Sequence, residues 1–154
     1  MPTYRCRVNR RTVDFDSWDP QQPLLYALRS HGLNGAKIGC GLGQCGSCTV
    51  LVDNHAIRSC VVPVESVAGK SIVTIEGLGS ERQPDPVQAA FIAEQAAQCG
   101  YCTPGMILSA KALLARTPTP TTAQIKESLA GNLCRCGAHT RIVRAVLRAS
   151  GQLK

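Results

Sequence analysis

Four cysteines spaced Cys40-x4-Cys45-x2-Cys48-x11-Cys60, and a second four spaced Cys99-x2-Cys102-x31-Cys134-x1-Cys136, constrain this chain more than any other feature. Together they account for eight of its nine cysteines. A C-x4-C-x2-C run with a later fourth cysteine is a spacing by which thiolates hold a 2Fe-2S centre. The glycines packed into that run, Gly39, Gly41, Gly43 and Gly46, fit the same chemistry. Cluster sulfurs need backbone N–H groups aimed at them, and a loop wrapped that closely must visit positive φ with little side-chain bulk.

Other uses of cysteine fit less well. An odd count, a polar and basic stretch from Met1 to Arg11 with no apolar signal region, and enough chain to fold without staples argue against a secreted disulfide scaffold. A zinc ribbon places its two C-x2-C knuckles about 15 to 20 residues apart, whereas Cys45-Gly-Ser-Cys48 and Cys99-Gly-Tyr-Cys102 lie much further apart. A thioredoxin-like pair at Cys99 and Cys102 would need a βαβ context, which is missing. Gly41-Leu-Gly-Gln-Cys-Gly46 also satisfies G-x-G-x-x-G, with Glu65 near the place of a ribose-binding acid. A dinucleotide fingerprint must open a helix, however, and Thr49-Val-Leu-Val52 reads as a strand.

The pattern changes once along the chain, where Gly77, Gly79, Ser80, Pro84 and Pro86 form a linker. Before it, Tyr4–Val8, Arg11–Phe15, Thr49–Val52, Ser59–Val62 and Ser71–Ile75 are short β-branched runs, and Leu24–Ser30 is the one good helix. After it, Val87–Ala97, Pro104–Arg116, Thr122–Ala130 and Arg141–Ser150 have helical periodicity, with Thr103-Pro104 and Thr121 or Thr122 as starts. This predicts an α+β fold with a sheet domain at 1–78 and an all-α domain at 79–154. Antiparallel helices would bring the turn holding Cys99 and Cys102 to the turn holding Cys134 and Cys136. The net charge of +7 raises nucleic acid as a partner, but the basic residues are scattered, aromatics are 4% and no binding motif occurs. No apolar run is long enough to insert directly in a membrane.

The strings Gly39-Cys-Gly-Leu-Gly-Gln-Cys-Gly-Ser-Cys-Thr-Val50, Gln98-Cys-Gly-Tyr-Cys-Thr-Pro-Gly-Met106 and Gly131-Asn-Leu-Cys-Arg-Cys-Gly137 resemble the small iron-sulfur subunit of molybdenum hydroxylases, the xanthine oxidase family. The likeness spans essentially the whole chain, and the x11 gap before Cys60 is how those subunits look. Arg58–Val64 and Thr74–Leu78 are most similar to the isoquinoline 1-oxidoreductase alpha-subunit type and related aldehyde and nicotinate dehydrogenases.

The resemblance implies a ferredoxin-like β-grasp domain, a four-helix domain and two 2Fe-2S clusters. It also implies a large partner subunit that carries a molybdenum-pterin of the molybdopterin cytosine dinucleotide type. That subunit hydroxylates an aromatic N-heterocycle or an aldehyde with oxygen from water, and this chain has no catalytic residue of its own. Electrons would reach the cluster at Cys99, Cys102, Cys134 and Cys136 first, and the cluster at Cys40, Cys45, Cys48 and Cys60 would pass them outward. Gln98 matches the side chain that contacts the pterin, and Cys136 the ligand nearest it. From its chemistry alone Gln98 can equally be a hydrogen-bond donor to a cluster sulfur. With no flavin domain and no C-x-x-C-H haem site here, the acceptor would be a flavin subunit or a c-type cytochrome. The cytoplasm is the default compartment, with export beside a signal-bearing partner as the other route. The alternative function is a free-standing two-cluster carrier or redox sensor, for which the helical domain would be superfluous.

The remaining residues suggest ordinary roles. Cys6 reads as a buried inert thiol. His31, His55 and His139 are isolated, and a Rieske role for His139 is redundant beside eight cysteines. Met106, Leu108, Leu113 and Leu114 read as core. Arg141, Arg144 and Arg148 recur at helical spacing and suit either a solvated face or a subunit contact.

Overall fold

Two pairs of residues with positive φ shape the N-terminal half of the computed structural model, which describes all residues from Met1 to Lys154. Asn9 and Arg10, at 49° and 69°, make the left-handed pair that a two-residue hairpin needs. They fold β1 (Thr3–Val8) back onto β2 (Arg11–Asp16), with Val8 opposite Arg11. Asp53 and Asn54, at 47° and 69°, do the same between β3 (Thr49–Val52) and β4 (His55–Arg58). β5 (Ser71–Val73) lies between the hairpins, parallel to β1 and antiparallel to β3, in the order β2-β1-β5-β3-β4. Helix α1 (Leu24–Ser30) lays Leu24, Leu25 and Leu28 into a core with Phe15, Val50, Val64 and Ile72. This is the expected β-grasp arrangement.

Ser59–Val62 is not the strand its β-branched residues predict; β4 precedes it at His55–Arg58. The reason lies at the start of α1, whose leading N–H groups have no partner inside the helix and no side-chain cap at Pro23. The carbonyls of Val62 and Ser59 accept from Leu24 and Leu25 at 2.8 and 3.0 Å, so this segment is held as a helix cap. β5 likewise stops at Val73, and a 3₁₀ turn, Ile75–Gly77, follows it.

In the second half α2 (Pro86–Ala93) starts with a reciprocal cap: Val87 N–H donates to Asp85 and Asp85 N–H to Gln88, both at 2.9 Å. It ends four residues before the expected Ala97. Gln95 turns left-handed at φ 50°, and the N–H of Ala96, now buried, returns to the Phe91 carbonyl at 2.9 Å. Helices α3 (Thr103–Arg116), α4 (Thr122–Ser128, capped by Thr121) and α5 (His139–Ala149) complete the bundle. Its core includes Phe91, Met106, Leu113, Ile125, Ile142 and Val146. Leu108 and Ala112 face away from that core and pack on Leu51 of β3, so α3 binds the helical half to the sheet.

Candidate metal centres

The loop after α1 wraps its backbone around sulfur. The N–H groups of Leu42, Gln44 and Cys45 point at Cys40 Sγ at 3.3, 3.2 and 3.3 Å, and the Cys40 N–H points at Cys45 Sγ at 3.4 Å. Gly41 and Gly43, at φ 68° and 74°, allow this wrapping. A side chain at Gly39 would sit 2.6 Å from Cys45 Sγ. Three converging amide dipoles stabilise the thiolate and pull Cys40 down to about 6. Cys48 and Cys60 are buried beneath the loop, joined through Ser59, whose hydroxyl donates to the Cys48 carbonyl at 2.6 Å. Burial first, then the neighbouring Cys48 thiol, pushes Cys60 up to about 11.

The second set assembles at the helix ends, as antiparallel helices require. Cys99 and Cys102 lie in the turn leading into α3, and Cys134 and Cys136 in the turn before α5. Cys134 and Cys99 face Cys102, whose thiol is pushed up to about 12, by burial first and then by Cys134. Burial opposes ionisation of Cys134 too, but the N–H groups of Ala138, Cys136 and Gly137 and the Cys102 thiol outweigh it and hold Cys134 below the usual thiol range. Cys136 lies two residues on from Cys134 and contributes its backbone N–H to that sulfur.

Both sets combine amides that stabilise a thiolate with a thiol that burial holds protonated until a metal takes the proton's place, which is the donor chemistry an iron-sulfur cluster needs.

The two sets meet at a short junction. Leu133, one residue before Cys134, donates its N–H to the Cys45 carbonyl at 2.9 Å. The Gly131 carbonyl accepts from Arg58 at 3.0 Å, and the Tyr101 hydroxyl donates to the Ile38 carbonyl. Asn132 is buried between the halves: its amide donates to the Gly46 carbonyl at 3.3 Å, and its carbonyl accepts from Ser109 at 2.9 Å.

Residues 6–71 match the family described as 2Fe-2S iron-sulfur cluster binding domain, and residues 74–147 match the 2Fe-2S binding domain family. The corresponding subunit of nicotinate dehydrogenase from Pseudomonas putida is 56% identical over 149 residues, covering 96% of this chain and 94% of that one. The alpha subunit of isoquinoline 1-oxidoreductase from Brevundimonas diminuta is 52% identical over 144 residues, covering 93% and 94%. The chain belongs to the small iron-sulfur subunits of the molybdenum hydroxylases. Among solved structures, quinoline 2-oxidoreductase from Pseudomonas putida 86 superposes with a TM-score of 0.91 at 37% identity, covering 97% of this chain and 94% of that one. Aldehyde oxidoreductase from Desulfovibrio gigas superposes at 0.93 and 36% identity, covering 98% of this chain and 17% of that much longer one. As a molybdenum hydroxylase small subunit the chain has an electron-transfer role, which does not favour the free-standing carrier.

Within this subunit Gln98 lies in an exposed bend and makes no hydrogen bond to the rest of the chain. The second set and Gln98 therefore share one end of the helical domain. Arg144 and Arg148 instead clamp Glu94, the residue that closes α2, at 2.9 and 2.7 Å, and Arg141 reaches the Gln95 carbonyl, so the arginine stripe is an internal contact between α5 and the end of α2. Cys6 is buried as expected, donates to the Val67 carbonyl at 3.2 Å, and has its pKa raised by that burial. His31 packs edge-on against Phe15, His55 contacts its own turn, and His139 is exposed at the start of α5. No helix is long and apolar enough to cross a membrane.

Proposed function

We propose that this chain carries electrons from the molybdenum-pterin site of a large partner subunit to an external acceptor, in a complex that hydroxylates an N-heterocycle. The observation that carries the reading is the pair of thiol sets joined by one hydrogen-bonded junction, each with an exposed thiol, Cys99 and Cys40. Cys99, Cys102, Cys134 and Cys136 hold the cluster nearer the partner, and Cys40, Cys45, Cys48 and Cys60 the cluster nearer the acceptor. Two 2Fe-2S clusters, when bound, each take up and release single electrons. Gln98, unpartnered within the chain and next to Cys99, offers its amide to the partner's pterin, which we take to be the cytosine dinucleotide form; Cys136 is the ligand beside it. The names of the two relatives above favour an N-heterocycle over an aldehyde as substrate class. A flavin subunit or a c-type cytochrome completes the path. The natural division into units is 1–78 and 79–154, and the complex works in the cytoplasm unless a signal-bearing partner carries it out.

Co-expression with a candidate molybdenum-binding subunit tests this reading. The isolated chain, with its clusters intact, should oxidise no organic substrate. The pair should co-elute on size exclusion and pass electrons from an N-heterocycle to an artificial acceptor. A chain that stays monomeric beside its partner, or that turns over a heterocycle alone, would overturn the proposal.

A further inference from the structure

We propose that Asn132 is a positioning residue for electron transfer between the two clusters, holding the Leu133–Cys45 contact at its length. The inference rests on the two-cluster reading above and concerns how the clusters are coupled. A link between the thiol sets runs from Cys134 back along the chain to the Leu133 N–H, across one hydrogen bond of 2.9 Å to the Cys45 carbonyl, and on to the Cys45 sulfur. With the clusters bound, this link would carry one electron at a time, the helical-domain site being oxidised as the other is reduced. Substrate, acting through the partner subunit, is the reductant.

Asn132 is adjacent to Leu133 and only 3% exposed. Its two amide ends grip opposite halves of the molecule, Ser109 on α3 at 2.9 Å and the Gly46 carbonyl, next to Cys45, at 3.3 Å. The fit around it is tight. A methyl group at Gly105 would lie 2.2 Å from the Gly46 oxygen, and one at Gly46 would lie 2.6 Å from the Gly131 oxygen. A buried amide with both ends paired has a single low-energy orientation, because turning it leaves two polar groups unsatisfied. Electron tunnelling falls steeply with distance, so a residue that holds the segment before Cys134 against the Cys45 backbone influences the transfer rate.

The test uses the intact complex with Asn132→Ala and Asn132→Asp. Aspartate keeps the acceptor for Ser109 and loses the donor to Gly46. Two readouts separate positioning from mere stability: the magnetic splitting between the two reduced clusters, and the delay between their reduction by substrate in rapid-freeze spectra. Both variants should retain four irons and both cluster signals, with a weaker splitting and a several-fold longer delay, and Tyr101→Phe should change them less. Unchanged splitting and delay in a fully loaded variant would overturn the proposal, as would loss of iron from both variants, which would make Asn132 a folding residue. Absence of a second cluster from the unaltered protein would instead refute the two-cluster reading itself.

Discussion

The N–H of Leu133 reaches the Cys45 carbonyl at 2.9 Å, so the residue before the third cysteine of one set is bonded to the backbone of the second cysteine of the other. Proximity of this kind does not make the sets one site. Cys60 responds to Cys48 and Cys40, and Cys102 to Cys134 and Cys99, so each set interacts within itself. The purified chain should therefore bind four irons as two spectroscopically distinct 2Fe-2S centres. Cys134→Ser should abolish one reduced-state paramagnetic signal and leave the other. Zinc in metal analysis, or loss of both signals from a folded variant, would contradict the assignment.

Gln98 gives a second prediction. Its side chain is exposed and has no partner within the chain, so truncation should cost little stability. In the complex, Gln98→Ala should slow substrate-driven reduction of the clusters while iron content stays constant, since the amide would position the donor and ligate nothing. Stopped-flow reduction measures this directly. An unchanged rate together with a shifted cluster potential would make Gln98 a donor to sulfur instead.

Glu94 supplies a pH dependence. Arg148 first and Arg144 second hold its carboxyl below the ordinary value of 4.5. A lowered folded-state pKa stabilises the fold above the unfolded value, and that contribution is lost as pH falls through the folded one. Glu94→Gln should thus lower the denaturation midpoint at neutral pH by loosening α5 from α2. The gap from the unaltered protein should narrow as pH falls below the ordinary value of 4.5 and on through the lower folded-state value, because the carboxylate is then protonated anyway. A gap that widened in acid would show that the arginines contribute by packing and not by charge.

Features set by local chemistry were legible in the sequence. Thiol spacing gave both candidate sites, β-branched runs and apolar periodicity gave most elements, and the ends of α1 fell where Leu24 and Ser30 suggested. Features set by distant partners were not. Ser59–Val62 has strand composition, yet its carbonyls are recruited by α1, more than thirty residues earlier. β4 has weak strand composition at His55–Arg58 and forms because the Asp53-Asn54 turn folds it back on β3; that dipeptide was the available signal. Asn132 lies inside a recognisable motif, but its role depends on Gly46, 86 positions away. The arginine stripe needed Glu94, which had no evident pairing in the sequence.

Gly105 sets a local preference against a global one. It is the third residue of α3 and buried, where alanine is favoured over glycine by about 1 kcal/mol of intrinsic helix propensity. On that ground alone Gly105→Ala would stabilise the protein. The added methyl, however, would meet the Gly46 carbonyl at 2.2 Å, and this obstacle is backbone that cannot swing aside as a flexible side chain would. Gly46 is itself confined, with φ at 79°, Asn132 bonded to its carbonyl and Gly131 against its α-carbon. Overpacking a site of this kind costs about 1–3 kcal/mol, so the clash should win and the variant should be less stable. It should also part the helical half from the cluster loop, stretching the Leu133–Cys45 contact while each half keeps its own core. The expected result is lower thermal stability with both clusters bound and a reduced magnetic splitting between them. A variant as stable as the original, with the splitting unchanged, would mean that α3 and the Gly46 loop can separate without disturbing the junction.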